Sequence, residues 1–208
     1  MNKKDLALKS IEALKIAYPD AICSLTAKDP LQLLIATRLS AQCTDARVNL
    51  VTPALFKKYP SLDDFCNAEV TDVEELIHSC GFYHGKARDI IGMSQKIKSD
   101  FNGKVPDNIE DLTSLPGVGR KTANLIIGDV YGKPAVVTDT HLIRIANRIG
   151  LVDTKDPKKV EFALRKILPP EESNDFCHRT VLHGRAVCTA RKAHCEICNL
   201  SEFCKKNI

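Results

Sequence analysis

"LPGVGRKTANLIIGDV", residues 115–130, places two glycines two positions apart and continues directly into a helix-forming segment. Leu115 and Val118 alternate with Gly117 and Gly119, and glycine reaches positive φ without steric cost, so the stretch predicts a hairpin between two helices. The N–H groups that begin the second helix can bind a nucleic-acid phosphate without contacting a base. The stretch therefore predicts a helix-hairpin-helix with a phosphate-binding turn.

The spacing excludes two nucleotide-binding motifs that "GVGRKT" superficially resembles. A phosphate-binding loop of nucleoside triphosphatases needs four residues between its glycines and a preceding strand. One residue separates the glycines here, and no strand pattern precedes them. The dinucleotide-binding fingerprint also has a different spacing.

Lys121 falls in the first turn of the second predicted helix. The positive end of a helix dipole disfavours an ammonium there by about 0.3–1 kcal/mol. A lysine that loses its proton more easily is a candidate nucleophile for Schiff-base chemistry. A surface lysine that contacts a phosphate backbone explains the residue equally well, so the local sequence leaves both interpretations open.

"VVTDTHLIRIANRIG", residues 136–150, places Asp139 immediately before an amphipathic helix. Asp is a preferred helix N-cap, which is the simpler interpretation of this residue. A carboxylate that faces a lysine amine can also accept its proton and stabilise positive charge on a sugar ring. His141 is interpreted as a hydrogen-bonded structural residue rather than an acid or base.

"CTARKAHCEICNLSEFC", residues 188–204, holds four cysteines spaced C-x6-C-x2-C-x5-C, which are Cys188, Cys195, Cys198 and Cys204. Four thiolates suit one zinc ion or one 4Fe–4S cluster, and the spacing leaves both open. Zinc sites more often show two CxxC pairs, and this segment has one. Arg191 and Lys192, between the first two cysteines, would present positive charge outward.

Helical periodicity dominates the remaining chain, so the fold class predicted for these 208 residues is all-α. Thr71 and Glu74 form a predicted capping box for the helix that includes "VEELIHSC", and "YGKPAVV", residues 131–137, is the predicted seam between two helical lobes. Such a seam is a usual place for a ligand-binding cleft. No apolar run approaches the roughly 18 residues of a membrane helix, and the start of the chain lacks the pattern of a secretory signal. We expect a cytosolic protein with no membrane partner.

The distribution of charge gives little information about function by itself. Residues 177–208 carry six Lys or Arg against two Asp or Glu, while the rest of the chain is balanced. Such an excess is compatible with a polyanionic partner, and a solvated charged face explains it as well.

The order of these features resembles the endonuclease III family of helix-hairpin-helix DNA glycosylases. The resemblance rests on "LPGVGRKTA", on an aspartate 18 residues past Lys121, and on the terminal cysteines. It also covers "LLIATRLSAQCTDARVN" and "CGFYHGKARDI", and so spans nearly the whole chain. The resemblance implies a bifunctional glycosylase and abasic-site lyase that removes oxidised pyrimidines from duplex DNA in base excision repair.

By this resemblance Lys121 attacks the sugar C1′ of a damaged nucleotide and forms a Schiff base that undergoes β-elimination. Asp139 assists as a base and an electrostatic partner. The four cysteines bind a 4Fe–4S cluster, with zinc as the less favoured alternative. The family assigns the remaining roles to DNA contacts: the hairpin residues Leu115, Gly117, Val118 and Gly119 on a phosphate, Arg191 and Lys192 on the backbone, and Gln42 and Phe82 in the hole left by the flipped base.

The implied architecture is a six-helix lobe, residues 22–133, and an iron–sulfur lobe, residues 1–21 plus 134–208, with a DNA-binding cleft between them. The expected partner is double-stranded DNA with damaged bases or abasic sites, bound by a monomer. Phe82 and Thr138 depart from the residues usual in the family. Two alternatives are a monofunctional adenine-specific relative, a branch that lacks the lysine, and a non-catalytic DNA-binding or redox-sensing iron–sulfur module.

Overall fold

The structure, a computed structural model, describes residues 1–208 and contains helices joined by short loops, with one isolated β-bridge between Cys188 and Ala193. The predicted all-α class is confirmed. Eleven α-helices and two 3₁₀-helices follow one another along the chain: α1 (Lys3–Ala17), α2 (Pro30–Leu39), α3 (Asp45–Lys58), α4 (Leu62–Cys66), α5 (Val70–Ile77), the 3₁₀-helix His78–Cys80, α6 (Tyr83–Asp100), α7 (Ile109–Ser114), α8 (Arg120–Asp129), α9 (Thr140–Ile149), α10 (Pro157–Arg165), the 3₁₀-helix Pro170–Glu172 and α11 (Ser173–Ala186).

Side-chain caps fix where most of these helices begin. Seven α-helices start at a residue whose side chain accepts a hydrogen bond from an N–H of the first turn: Asn2, Asp29, Thr44, Ser61, Asn108, Asp139 and Asp156. Such bonds satisfy N–H groups that have no partner within the helix. The helix that carries Lys121, α8, starts without a side-chain cap.

The capping box predicted from Thr71 and Glu74 is wrong. Helix α5 begins earlier, at Val70, and its N-cap Glu69 makes no side-chain hydrogen bond to the helix. Thr71 therefore lies inside the first turn. The Glu74 carboxylate instead lies 2.8 Å from Nδ1 of His84, so a partner on another helix takes the place of the local cap.

The chain divides into two compact units. One comprises Ser24–Tyr131 and contains α2 to α8. Its core lies around α6, which packs against α2, α4 and α5 through fully buried side chains that include Leu34, Ile90 and Met93. This unit contains seven α-helices, one more than the six expected.

The other unit comprises Met1–Cys23 and Gly132–Ile208. Helix α11 packs against both α1 and α9, so the first helix of the chain joins the core of the C-terminal segment. Fully buried residues of this core include Leu14, Leu142 and Phe176. In neither unit does a helix have the length and apolar character needed to cross a membrane.

Candidate active site

The hairpin predicted from the glycine-containing stretch lies between α7 and α8. Leu115 and Val118 are 3% and 7% exposed, so their side chains anchor the turn in the core and leave only their backbone for a ligand. The Val118 N–H donates to the Leu115 carbonyl over 3.2 Å and closes the turn. Gly117 has a φ of +72°, a conformation that glycine adopts freely. Gly119 is the N-cap of α8.

Gly117 is also required for space. A Cβ atom at this position would lie 2.6 Å from Nε of Arg38 and 2.7 Å from Oδ2 of Asp89. These two side chains form an ion pair, with Nε and Nη2 of Arg38 at 2.7 and 2.6 Å from Oδ2 of Asp89. The ion pair thus fits against the bare backbone of the turn. No local sequence pattern indicates either residue, because they come from helices far from the hairpin in the chain.

Lys121 is the second residue of α8 and is exposed. Ala123, Ile126 and Ile127 bury the opposite face of the same helix. Because α8 starts without a side-chain cap, the positive end of its dipole faces outward at the turn that presents Lys121. This arrangement places a flexible amine beside a region that favours anions.

Asp139 is the N-cap of α9, and its Oδ1 accepts a 2.7 Å hydrogen bond from the Leu142 N–H. The capping role is therefore present in the structure. It uses one carboxylate oxygen and fixes the side chain, so Oδ2 keeps a defined orientation. Lys121 and Asp139 belong to different units of the chain.

His141 and Arg144 connect α9 to α11 within their unit. Arg144 donates to the carbonyls of Gly184 and Cys188 at 2.9 and 3.0 Å, and its Nη2 lies 3.2 Å from Nδ1 of His141. Burial lowers the pKa of His141, and the nearby Asp139 carboxylate acts in the opposite direction. A neutral, packed ring fits the structural role expected of this histidine.

Gln42 and Phe82 both have left-handed backbone conformations, with φ of 55° and 50°. Such values are uncommon for residues other than glycine and store strain, above all for a bulky residue such as phenylalanine. Phe82 is nevertheless 71% exposed, and Gln42 is exposed as well. The fold therefore presents both side chains outward from strained positions, which is a feature that clusters at functional sites.

The four terminal cysteines line one cavity, whose walls also include Ile145, Ile149 and Leu200. Donors already surround the sulfur atoms: Nη1 of Arg148 lies 3.3 Å from Sγ of Cys188, and the Lys206 N–H lies 3.3 Å from Sγ of Cys204. Four thiols around one largely apolar cavity fit an iron–sulfur cluster.

Arg191 and Lys192 lie in a tight turn beside this cavity and are both exposed. Thr189 closes the turn, because its hydroxyl accepts from the Lys192 N–H at 3.1 Å and donates to the Lys192 carbonyl at 2.7 Å. Arg148 in turn donates to the Thr189 carbonyl at 2.7 Å. The two cationic side chains therefore project from a fixed backbone.

Comparison with known proteins defines the class. The sequence profile of the HhH-GPD superfamily of base excision DNA repair proteins matches residues 35–170, a range that includes the hairpin, Lys121 and Asp139.

Two relatives and one solved structure identify the family within this superfamily. The endonuclease III of a Synechocystis species is 47% identical over 98% of this chain and 93% of the relative. That of Bacillus subtilis is 39% identical over 91% of this chain and 87% of the relative. A solved structure of a trapped endonuclease III–DNA covalent intermediate superimposes with a TM-score of 0.92, at 39% identity, over 99% of this chain and 97% of that one. The chain therefore belongs to the endonuclease III family of this superfamily, which confirms the resemblance seen in the sequence.

Proposed function

We propose that this DNA glycosylase and abasic-site lyase removes oxidised pyrimidines from duplex DNA with Lys121 as its nucleophile. One observation carries the assignment: the exposed Lys121 lies in the first turn of α8, directly after the glycine turn. A phosphate bound at that turn would bring the neighbouring sugar to the amine. Phosphate binding and chemistry then use different atoms of the same hairpin.

The reaction needs three successive steps at the sugar. Nζ of Lys121 forms a bond to C1′ while the glycosidic bond breaks and the base leaves with the bonding electron pair and a proton. Opening of the sugar ring then gives a protonated Schiff base between Lys121 and C1′. Loss of a proton from C2′ expels the 3′ phosphate by β-elimination and cleaves the strand.

Asp139 serves this chemistry through its second carboxylate oxygen. Because Oδ1 is used as the N-cap of α9, the carboxylate is held in place rather than free to rotate. Oδ2 supplies a base for the reaction and stabilises positive charge that develops on the sugar. Capping and catalysis are thus compatible roles of one residue.

Exposure and charge support the remaining DNA contacts that the family resemblance implies. The hairpin backbone from Leu115 to Gly119 binds a phosphate, and Arg191 and Lys192 contact the backbone of the duplex. Gln42 and Phe82 occupy the space that the flipped nucleotide leaves. Their strained and exposed positions support this role.

Base release and strand cleavage on a thymine-glycol duplex test the proposal. We expect the wild-type protein to catalyse both reactions and Lys121→Gln to lose both. Lys104→Gln removes another exposed lysine of the same unit and should retain both activities. Strand cleavage by Lys121→Gln would contradict the assignment of the nucleophile. Absence of base release by the wild-type protein would favour the non-catalytic DNA-binding module instead.

We further propose that Cys188, Cys195, Cys198 and Cys204 hold a 4Fe–4S cluster. When bound, the cluster supplies a structural crosslink rather than a reacting group. It would tie the segment after α11 to the C-terminal residues, which also bond to α9 through Lys205 N–H to the Ile149 carbonyl at 3.1 Å. The Arg191–Lys192 turn would then be held rigid.

Iron analysis and visible absorption test the cluster. The purified protein should contain four iron atoms per chain and absorb in the visible range, and Cys195→Ser should lose most of both signals. Cys66→Ser, which changes a half-buried cysteine outside the cavity, should keep them. One zinc atom per chain without iron would contradict the proposal.

A further inference from the structure

Lys86 is a lysine in the core of the unit formed by Ser24–Tyr131. It is 0% exposed, although lysine is rarely buried without a partner. Its Nζ donates to the Leu39 carbonyl at 2.8 Å and to the Cys80 carbonyl at 2.9 Å. Burial of an ammonium is unfavourable unless such bonds replace water, so these two contacts explain how the group is tolerated.

The two acceptors are the last residues of two helices. Leu39 ends α2 and Cys80 ends the 3₁₀-helix His78–Cys80. Carbonyls at helix C-termini lack partners within the helix and lie at its negative end, where a cation is stabilising. A single ammonium thus caps two helix ends from different parts of the chain.

Each capped end leads directly into a strained, exposed residue. Gln42 follows Leu39 by three positions and has a φ of 55°. Phe82 follows Cys80 by two positions, and Gly81 and Phe82 have φ of 69° and 50°. Strained conformations persist only where the surrounding structure holds them. Lys86 is the one side chain that donates hydrogen bonds both to the backbone segment that leads into Gln42 and to the segment that leads into Phe82.

The carbonyls, and not a thiolate, are the partners of this ammonium. The thiols of Cys43 and Cys80 lie near this ammonium. Burial raises the pKa of Cys80 to about 11, so this thiol is neutral near pH 7. The contact therefore does not depend on a titrating anion under the conditions of DNA binding.

We propose that Lys86 is a positioning residue that couples Gln42 and Phe82, so that the two side chains enter the DNA helix as one unit. This inference rests on the proposed function, because it assumes that both side chains fill the gap left by the flipped nucleotide. Lys86 itself contacts no DNA. It acts by holding the backbone from which the two side chains project.

The test compares Lys86→Met with the wild-type protein on two duplexes. Methionine fills a similar volume but donates no hydrogen bond to the carbonyls. One duplex carries a tetrahydrofuran abasic-site analogue and the other is undamaged. We expect Lys86→Met to weaken binding of the analogue duplex about tenfold and to change binding of the undamaged duplex by less than about twofold, a contrast of the size seen for coupled residues.

A mutant cycle separates positioning from a general structural effect. In a protein that carries Gln42→Ala and Phe82→Ala, Lys86→Met should weaken binding of the analogue duplex by less than about a further twofold, since neither side chain remains to be positioned. An equal loss in both backgrounds, or no loss in either, would overturn the inference. If Lys86→Met fails to fold, Lys86→Leu, which also donates no hydrogen bond to the carbonyls, enters the same cycle with the same criteria.

The wild-type protein distinguishes this inference from the proposed function. Covalent trapping by borohydride on an abasic duplex tests the enzyme itself. If the wild-type protein is trapped and the Lys86 effect is the same in both backgrounds, only the coupling is wrong. If the wild-type protein is not trapped and does not distinguish the two duplexes, the proposed function fails with it.

Discussion

Replacement of Gly117 by alanine tests how the hairpin is built. Two separate losses of folding stability are expected. A φ of +72° disfavours an L-residue by about 1–2 kcal/mol. The new Cβ would also lie 2.6 Å from Nε of Arg38 and 2.7 Å from Oδ2 of Asp89, so the ion pair must shift. Since the side chains of this pair are 19% and 28% exposed, loss of their alignment adds about 1 kcal/mol.

We therefore expect Gly117→Ala to lower the free energy of unfolding by about 2–3 kcal/mol, measured by urea denaturation at pH 7. Gly132→Ala is the matched control, because Gly132 has a φ of +59° but nothing within 4 Å of a new Cβ. Gly132→Ala should lower the free energy of unfolding only through the unfavourable backbone conformation, by about 1–2 kcal/mol. The difference between the two variants measures the contact with the ion pair.

The origin of that difference can be tested directly. In a protein with Asp89→Ala, Arg38 is free to move aside, so the cost of Gly117→Ala should fall to that of Gly132→Ala. An unchanged cost would show that the ion pair is not the cause. A cost for Gly117→Ala below that of Gly132→Ala would refute the requirement for bare backbone at this turn.

Two further predictions concern the unit that carries Asp139. Gly184→Ala places a Cβ 2.6 Å from Nδ1 of His141 and 2.8 Å from Nη2 of Arg144, so it should destabilise the protein by about 1–3 kcal/mol in urea denaturation; a neutral effect would contradict the close packing of α9 on α11. Lys15 and Arg179 bind the Glu172 carboxylate and lower its pKa below the ordinary value of 4.5. Glu172→Gln should therefore cost about 1 kcal/mol of unfolding free energy at pH 7. A carboxylate whose pKa is lower in the folded than in the unfolded protein stabilises the fold at a pH above its unfolded-state pKa, and this stabilisation is lost as the pH falls through its folded-state pKa. The difference in unfolding free energy between Glu172→Gln and the wild-type protein should therefore shrink in urea titrations below pH 4.5. A difference that stays constant with pH would contradict the ionic contribution.

Local patterns were sufficient to predict the hairpin. Glycine spacing and the apolar pair Leu115 and Val118 specify a turn with two anchors, and those anchors are buried as the alternation requires. Asp139 directly precedes an amphipathic helix, and its cap is observed. In both cases the information lies within a few residues of the feature.

Tertiary contacts account for what the patterns missed. The Arg38–Asp89 ion pair that packs against Gly117 comes from α2 and α6, so no local sequence pattern indicates it. The capping box at Thr71 failed because α5 begins at Val70, so Thr71 lies within the first turn and not at the N-cap.

The burial of Lys86 could have been predicted from the sequence. It lies in register with Ile90, Met93 and Ile97, which form the buried face of α6. A lysine at i, where i+4, i+7 and i+11 are apolar, is a charged residue in a core position. That pattern predicts a buried ammonium with specific partners, although only the fold shows that they are the carbonyls of Leu39 and Cys80.

The identity of the nucleophile is tested most directly by locating the covalent adduct. The wild-type protein is incubated with an abasic duplex and borohydride, the complex is digested, and the modified residue is identified by mass spectrometry. The DNA fragment should be attached to Lys121, in the peptide that follows the glycine turn. An adduct on another lysine or on the N-terminal amine, or undiminished trapping by Lys121→Gln, would contradict Lys121 as the nucleophile.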